Sequence, residues 1–230
     1  MYFQHAEAIR SEYPDLVAAA ITTTGITAAS DVDEQVARFT AIAQARLAGG
    51  PESDLPEIKA WRQAFAKMGL KPTQYRCASE ALLRRLRKEG ELPRIHPLID
   101  LCNAVSVAFA IPVAALDLDR ISGDLEVRHA TGDEEYVTFA DTIEHPEPGE
   151  VIFADAGGNA HARRWTNRQS GSSAIRPGTS RVLIVAEALH ESAAEDVAAL
   201  MKTLVDELAG VWGGTPRSAV LSAASRRFEF

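Results

Sequence analysis

The run LIDLCNAVSVAFA, Leu98 to Ala110, dictates what must surround it. As a helix it carries apolar side chains around almost its whole circumference. Only Asp100, Asn103 and Ser106 interrupt, at steps of three that set them along one stripe. A bilayer span needs roughly 20 such residues, so the rest of the chain must exclude water from this one. A helix enclosed on every side needs several layers. In a 230-residue chain that is 46% hydrophobic, this points to an α/β fold, a mixed β-sheet packed with helices. A buried carboxylate, amide and hydroxyl need polar partners, so the stripe either closes a core network or lines a pocket.

The flanking pattern supplies those layers. LVAAAITT, between Pro14 and Gly25, reads as a buried strand. SDVDEQVARFTAIAQARLA reads as a helix capped by Ser30, with Asp33 three residues on and Val36, Phe39, Ile42, Ala43 and Leu47 on its apolar face. After the break at GGPESD, a helix sets Ile58, Trp61, Phe65 and Met68 on one side and stops at Gly69. Residues 1–56 thus read as an N-terminal extension packed on a main domain of 57–230, with the character of a small lobe. SEALLRRLRKEG buries Leu82, Leu83 and Leu86 under a basic outer face. DLEVRHA, EYVTFA, EVIFADA, NAHARRW and RVLIVAEAL read as strands. Ser192 and Glu195 form a capping box for a last helix reaching Trp212.

Charge is distributed in blocks. The formal net charge is -8, yet residues 61–94 hold nine Lys or Arg against Glu80, Glu89 and Glu91, and residues 161–181 hold five Arg and no acid. Such blocks either neutralise each other on folding or build one basic face suited to a specific polyanion. Arg76, Arg84, Arg85, Arg87 and Lys88 have no interleaved aromatics, which suits the backbone of RNA rather than its bases. The other basic stretch, RRWTNRQS, adds to Arg163, Arg164 and Arg168 a stacking surface in Trp165 and hydrogen-bonding groups in Asn167, Gln169 and Ser170. Period two along AHARRW places Arg163 and Trp165 on one strand face and Arg164 on the other. Phosphate loops, dinucleotide fingerprints, nucleophile elbows and paired metal-ligand histidines are missing from the sequence, so no cofactor or metal is expected. Cys77 reads as a buried structural thiol. With two cysteines and no secretory leader pattern, the expected compartment is the cytoplasm.

IHPLIDLCNAVSVAFAIPVAALDLDRISGDLEVRHATGDEEYV, with Asp100, Asn103, Val105, Pro112, Asp117, Asp119, Arg120, Ile121 and Gly123 in order, resembles the B3/B4 domain of the beta subunit of phenylalanyl-tRNA synthetase. PEPGEVIFAD, RRWTNRQS and GTSRVLIVAEAL are similar to small bacterial proteins that carry this domain alone. The resemblance is strongest over 61–189. It implies an amino-acid-sized pocket and trans-acting hydrolysis of mischarged aminoacyl-tRNA, with the aminoacylated tRNA end as partner and neither membrane nor DNA involved. The implied catalytic set is Asp100, Asn103, Arg163, Arg164 and Gln169, Asp100 taking the substrate ammonium or orienting the network. The substrate-binding set is Ser106, Trp165, Asn167, Arg168 and Ser170. Ala114 and Gly171 stand where the synthetase pocket carries a histidine and a glutamate, so a non-catalytic binder of tRNA or amino acid is the alternative.

Overall fold

The computed structural model describes residues 1–222 and 225–230. At its centre lies the apolar helix, running from Pro97 to Phe109. Pro97 presets the first helical turn, and the His96 imidazole accepts the Leu98 amide at 3.2 Å. In chain order the helices are α1 (Glu7–Glu12), α2 (Asp33–Leu47), α3 (Pro56–Lys67), α4 (Ala78–Glu89), α5 (Pro97–Phe109) and α6 (Ala193–Trp212). Helix α5 packs against α2, α4 and α6, and against strand β3 (Val113–Asp117). Leu98, Leu101, Ala104, Val105 and Val107 are fully enclosed, and burial of each larger side chain among them contributes about 1.5–3 kcal/mol.

Two sheets complete the layers. A six-stranded sheet runs β12-β1-β4-β7-β8-β9, with β1 (Tyr2–His5) parallel to β4 (Leu125–His129) and every other pair antiparallel. Its remaining strands are β7 (Val151–Asp155), β8 (Ala160–Arg163), β9 (Arg168–Gln169) and β12 (Arg227–Glu229). An antiparallel sheet runs β11-β2-β10-β3, with β2 (Val17–Thr23), β10 (Val182–Ala188) and β11 (Arg217–Leu221). A short hairpin pairs β5 (Tyr136–Val137) with β6 (Ile143–Glu144). Among the described residues no helix is long and apolar enough to cross a membrane.

Several expectations are corrected. The first 56 residues are not a lobe of their own: β1 lies inside the larger sheet and β2 between β10 and β11, because a strand buried along nearly its whole length, as β2 is, gains from neighbours on both edges. Helix α2 starts at Asp33 rather than beside Ser30; the Asp31 carboxylate accepts the Asp33 amide at 2.9 Å and ends the preceding turn. Ile42 is exposed, whereas Phe39 and Ala43 carry the buried face. No side-chain capping box forms at α6, since the Ser192 hydroxyl donates to Asp196 Oδ2 at 2.6 Å instead.

Candidate functional site

The basic stretch does not continue as a strand. Strand β8 ends at Arg163, and Arg164 and Trp165 both adopt left-handed backbone angles, φ 48° and 57°. Bulky residues rarely do so without surrounding constraint. Here the constraint is visible. Glu150 Oε1 accepts the Arg164 amide at 3.0 Å, the Trp165 amide donates to Val151 O at 2.7 Å, and the Ala78 amide donates to Thr166 O at 2.8 Å. Asn167 Nδ2 donates to Arg76 O at 2.8 Å, which docks the turn on the start of α4. Two successive left-handed residues break period two, so the expected alternation of Arg163, Arg164 and Trp165 does not hold.

The turn walls a cavity of about 70 Å³ lying between the two sheets. Its floor is apolar: Pro112, Val113, Ala114 and Leu116 from the β3 region, Val185 from β10, and Phe153 and Ala162 from β7 and β8. Thr166, Asn167, Arg168, Gln169 and Glu187 supply polarity. Gln169 Nε2 donates to Ala115 O at 2.8 Å, fixing the amide at the cavity edge. Thr166 Oγ1 is buried and has no hydrogen-bond partner among the described residues.

Of the residues singled out from sequence, Trp165, Asn167, Arg168 and Gln169 therefore meet at one cavity. Trp165 is not a stacking platform. It is 0% exposed, edge-on to Tyr13 and Trp61. Arg163 is committed to carboxylates, Glu150 at 2.9 Å through two nitrogens and Glu144 at 2.8 Å. Those bonds hold its guanidinium more firmly protonated than usual. Burial would raise the Glu150 carboxyl, but the Arg163 bonds hold it below the ordinary value. Arg164 lies over the Tyr75 ring at 4.9 Å in a neighbouring groove shared with Lys67 and His129. Arg168 pairs with Glu144 at 3.0 Å and lies over Tyr136. The Ser170 hydroxyl donates to Val137 O at 2.8 Å inside the core.

The α5 stripe stays apart from this cavity. Asp100 Oδ1 accepts the Ile95 and His96 amides at 2.7 and 3.3 Å, and Arg94 is 3.4 Å from Oδ2, so this carboxylate closes the start of its own helix. Ser106 Oγ donates to Ile111 O at 2.6 Å and closes the other end. Half-buried Asn103, between them, lines no part of the cavity. An α-helix leaves orphan amides and carbonyls at its ends, and in a buried helix side chains must satisfy them. Asp100 and Ser106 are spent in this way. The basic residues of α4 are also largely paired: Arg87 lies 3.0 Å and Arg84 3.8 Å from Glu52, Arg85 is 2.8 Å from Glu89, and Arg76 is 3.6 Å from Glu80. Burial pushes the Cys77 thiol up to about 12.

Two networks escaped the sequence reading because their members lie far apart in the chain. Glu187, 2% exposed, accepts from Trp165 Nε1 at 2.9 Å and from His5 Nε2 at 2.6 Å. Its own carbonyl accepts from Trp61 Nε1 at 3.3 Å. Separately, His161 bridges Ser173 Oγ at 2.8 Å and Asp155 Oδ2 at 3.1 Å. This resembles a hydrolytic relay in composition, but Ser173 and His161 are 0% exposed. Burial would raise the Asp155 carboxyl, yet His161 and the Asn159 and Ser122 amides hold it well below the usual range. It braces the sheet.

A family model described as the B3/4 domain matches residues 60–206, more than half of the chain. The chain is 37% identical over 91 residues to the phenylalanine–tRNA ligase beta subunit of Shewanella oneidensis, covering 39% of this chain and 11% of that protein. It is 40% identical over 63 residues to that of Coxiella burnetii, covering 27% and 8%. The matched part is thus about a tenth of these relatives' length. An N-terminal fragment of the phenylalanyl-tRNA synthetase beta subunit from Pyrococcus horikoshii superposes with a TM-score of 0.43 at 15% identity, over 53% of this chain and 41% of that one.

Proposed function

Since the chain belongs to the B3/4 domain family, we propose that it is a trans-acting deacylase that hydrolyses the ester of mischarged aminoacyl-tRNA, with the amino acid seated in the cavity between the sheets. The observation that carries this reading is the meeting of Asn167, Arg168 and Gln169 at one cavity whose lining is largely apolar. An aminoacyl ester is already activated, so positioning a water and stabilising the oxyanion supply most of what the reaction requires. Water attacks the ester carbonyl, and the free N–H of the Gln169 amide donates to the developing oxyanion. The ribose oxygen leaves and takes up a proton, releasing free amino acid and tRNA. Arg168 at the rim faces the terminal nucleotide, and Arg76, Arg84, Arg85, Arg87 and Lys88 hold RNA phosphates. Arg163 and Arg164 serve the site by shaping its turn. Asp100, Asn103, Ser106 and Ser170 maintain the frame.

Binding without turnover is a second reading, favoured by Ala114, whose methyl faces the cavity at the place the resemblance gives to a histidine. A panel of mischarged tRNAs under single-turnover conditions separates the two. The expected result is release of at least one amino acid, slowed about 30- to 1000-fold by Gln169→Ala with the melting temperature unchanged. tRNA binding with no release from any member of the panel would leave the binder, and full activity in Gln169→Ala would remove that amide from the reaction.

A further inference from the structure

Glu187 lines the cavity beside Val185, Val113 and Trp165; among the described residues no arginine or lysine lies within ion-pair distance of it, and Arg10 is the cation that feels its charge from farther off. Its Oε1 is saturated by Trp165 Nε1 and His5 Nε2, whereas Oε2 has no hydrogen bond among the described residues. The indole N–H and the His5 ring hold Oε1 in place: His5 is enclosed with Nε2 at 2.6 Å from it, and its Nδ1 has no partner among the described residues. An open acceptor oxygen in a largely apolar wall is a place for a charged donor. Arg168, the cation at the rim, is turned outward to Glu144 and Tyr136.

Resting on the reading of this cavity as an amino-acid site, we propose that Glu187 is its ammonium subsite: Oε2 receives the primary ammonium of the ligand, while His5 and Trp165 hold the carboxylate in place. Two sources share that chemistry, the α-ammonium of any aminoacyl group and the side-chain ammonium of a basic one. The small volume, about 70 Å³, matches the α-ammonium of a small amino acid. Asp100, whose oxygens cap its own helix, has no part in this.

The test uses three neutral amides and the full chain, with affinity read by calorimetry: alaninamide carries an α-ammonium, Nα-acetyl-lysinamide only a side-chain ammonium, and propionamide none. Alaninamide is expected to bind at least about tenfold more tightly than propionamide, the equivalent of one charge-assisted hydrogen bond. Glu187→Gln, which keeps an acceptor for Trp165 Nε1, is expected to erase the difference. Preferential binding of Nα-acetyl-lysinamide, lost in Glu187→Gln, would keep the subsite and assign it to basic side chains. Equal binding of all three, no binding of any, or discrimination that survives in Glu187→Gln would overturn the proposal. If the variant misfolds by its melting curve, the wild-type comparison of alaninamide with propionamide decides alone. Deacylation is scored separately: amide discrimination without tRNA hydrolysis defeats the deacylase and leaves the subsite, and hydrolysis without discrimination does the reverse.

Discussion

Arg163 shows how a residue that looks catalytic in sequence becomes structural in three dimensions. Its guanidinium offers a planar fork, and Glu150 and Glu144 occupy that fork. Removing one partner of a buried ion pair leaves the other charge stranded, at a cost of about 3–5 kcal/mol. Arg163→Ala is therefore expected to lower stability by that amount in urea unfolding. Arg163→Ala/Glu150→Gln is expected to recover part of it, because the uncompensated charge is removed. A melting curve unchanged by Arg163→Ala would return the side chain to the ligand. Gly171 is legible only at the same scale. A Cβ there would lie 2.8 Å from the Thr138 carbonyl oxygen, so the backbone of the β5–β6 hairpin excludes any side chain from this position.

Among the elements, α4 is the one whose outward face is basic, and its charges divide by what they touch. Arg87 shares Glu52 with Arg84, while Arg85 meets only exposed Glu89, a pairing worth little in water. The double substitution Arg85→Glu/Lys88→Glu is expected to leave the melting temperature within a degree or so. Affinity for tRNA should fall, and the slope of log K against log salt should become shallower by about two phosphate contacts' worth. Filter binding at several salt concentrations measures both. Unchanged affinity and slope would make α4 a helix whose basic end serves only its dipole. The mixed result for this helix reflects the limits of pattern. Leu83 and Leu86 are buried as their spacing requires, but Glu52, the acid that Arg84 and Arg87 share, comes from a turn outside the helix.

The whole molecule keeps titratable groups buried in both of their uncharged and charged forms, and this shapes its response to pH. Burial would raise the Glu134 carboxyl, but the Thr131 amide and Arg128 bring it down to about 2 from an ordinary 4.5. Such an acid contributes stability that is complete above about 4.5 and lost as pH falls toward 2. Asp155 and Glu150 act in the same direction. The thiols of Cys77 and Cys102, raised by burial from 9.0 to about 12, act at the other end: their contribution is complete below about 9 and is lost as pH rises toward 12. Unfolding free energy measured across pH should plateau between these limits and fall steeply on the acid side. Glu134→Gln should flatten the acid limb. An acid limb of the same steepness in that variant would show that other carboxylates govern it.

Local pattern determined a good deal by itself. A run as apolar as α5 or β2 has no stable place except the interior, so the layered α/β architecture followed from composition and period alone. Trp165, Asn167, Arg168 and Gln169 share one cavity, since they lie within five consecutive residues that any fold must keep together. Tertiary structure decided the rest. Asp100 and Ser106 were claimed by the ends of their own helix, and Arg163 was claimed by acids 13 and 19 residues away. Glu187 became the cavity's carboxylate because the packing of the two sheets and the turn after β8 brought His5 and Trp165 to it across 182 and 22 residues of chain. Periodicity assigns a side chain to a face, but whether its hydrogen-bonding capacity is spent or left open depends on partners that only the folded chain brings within 3 Å.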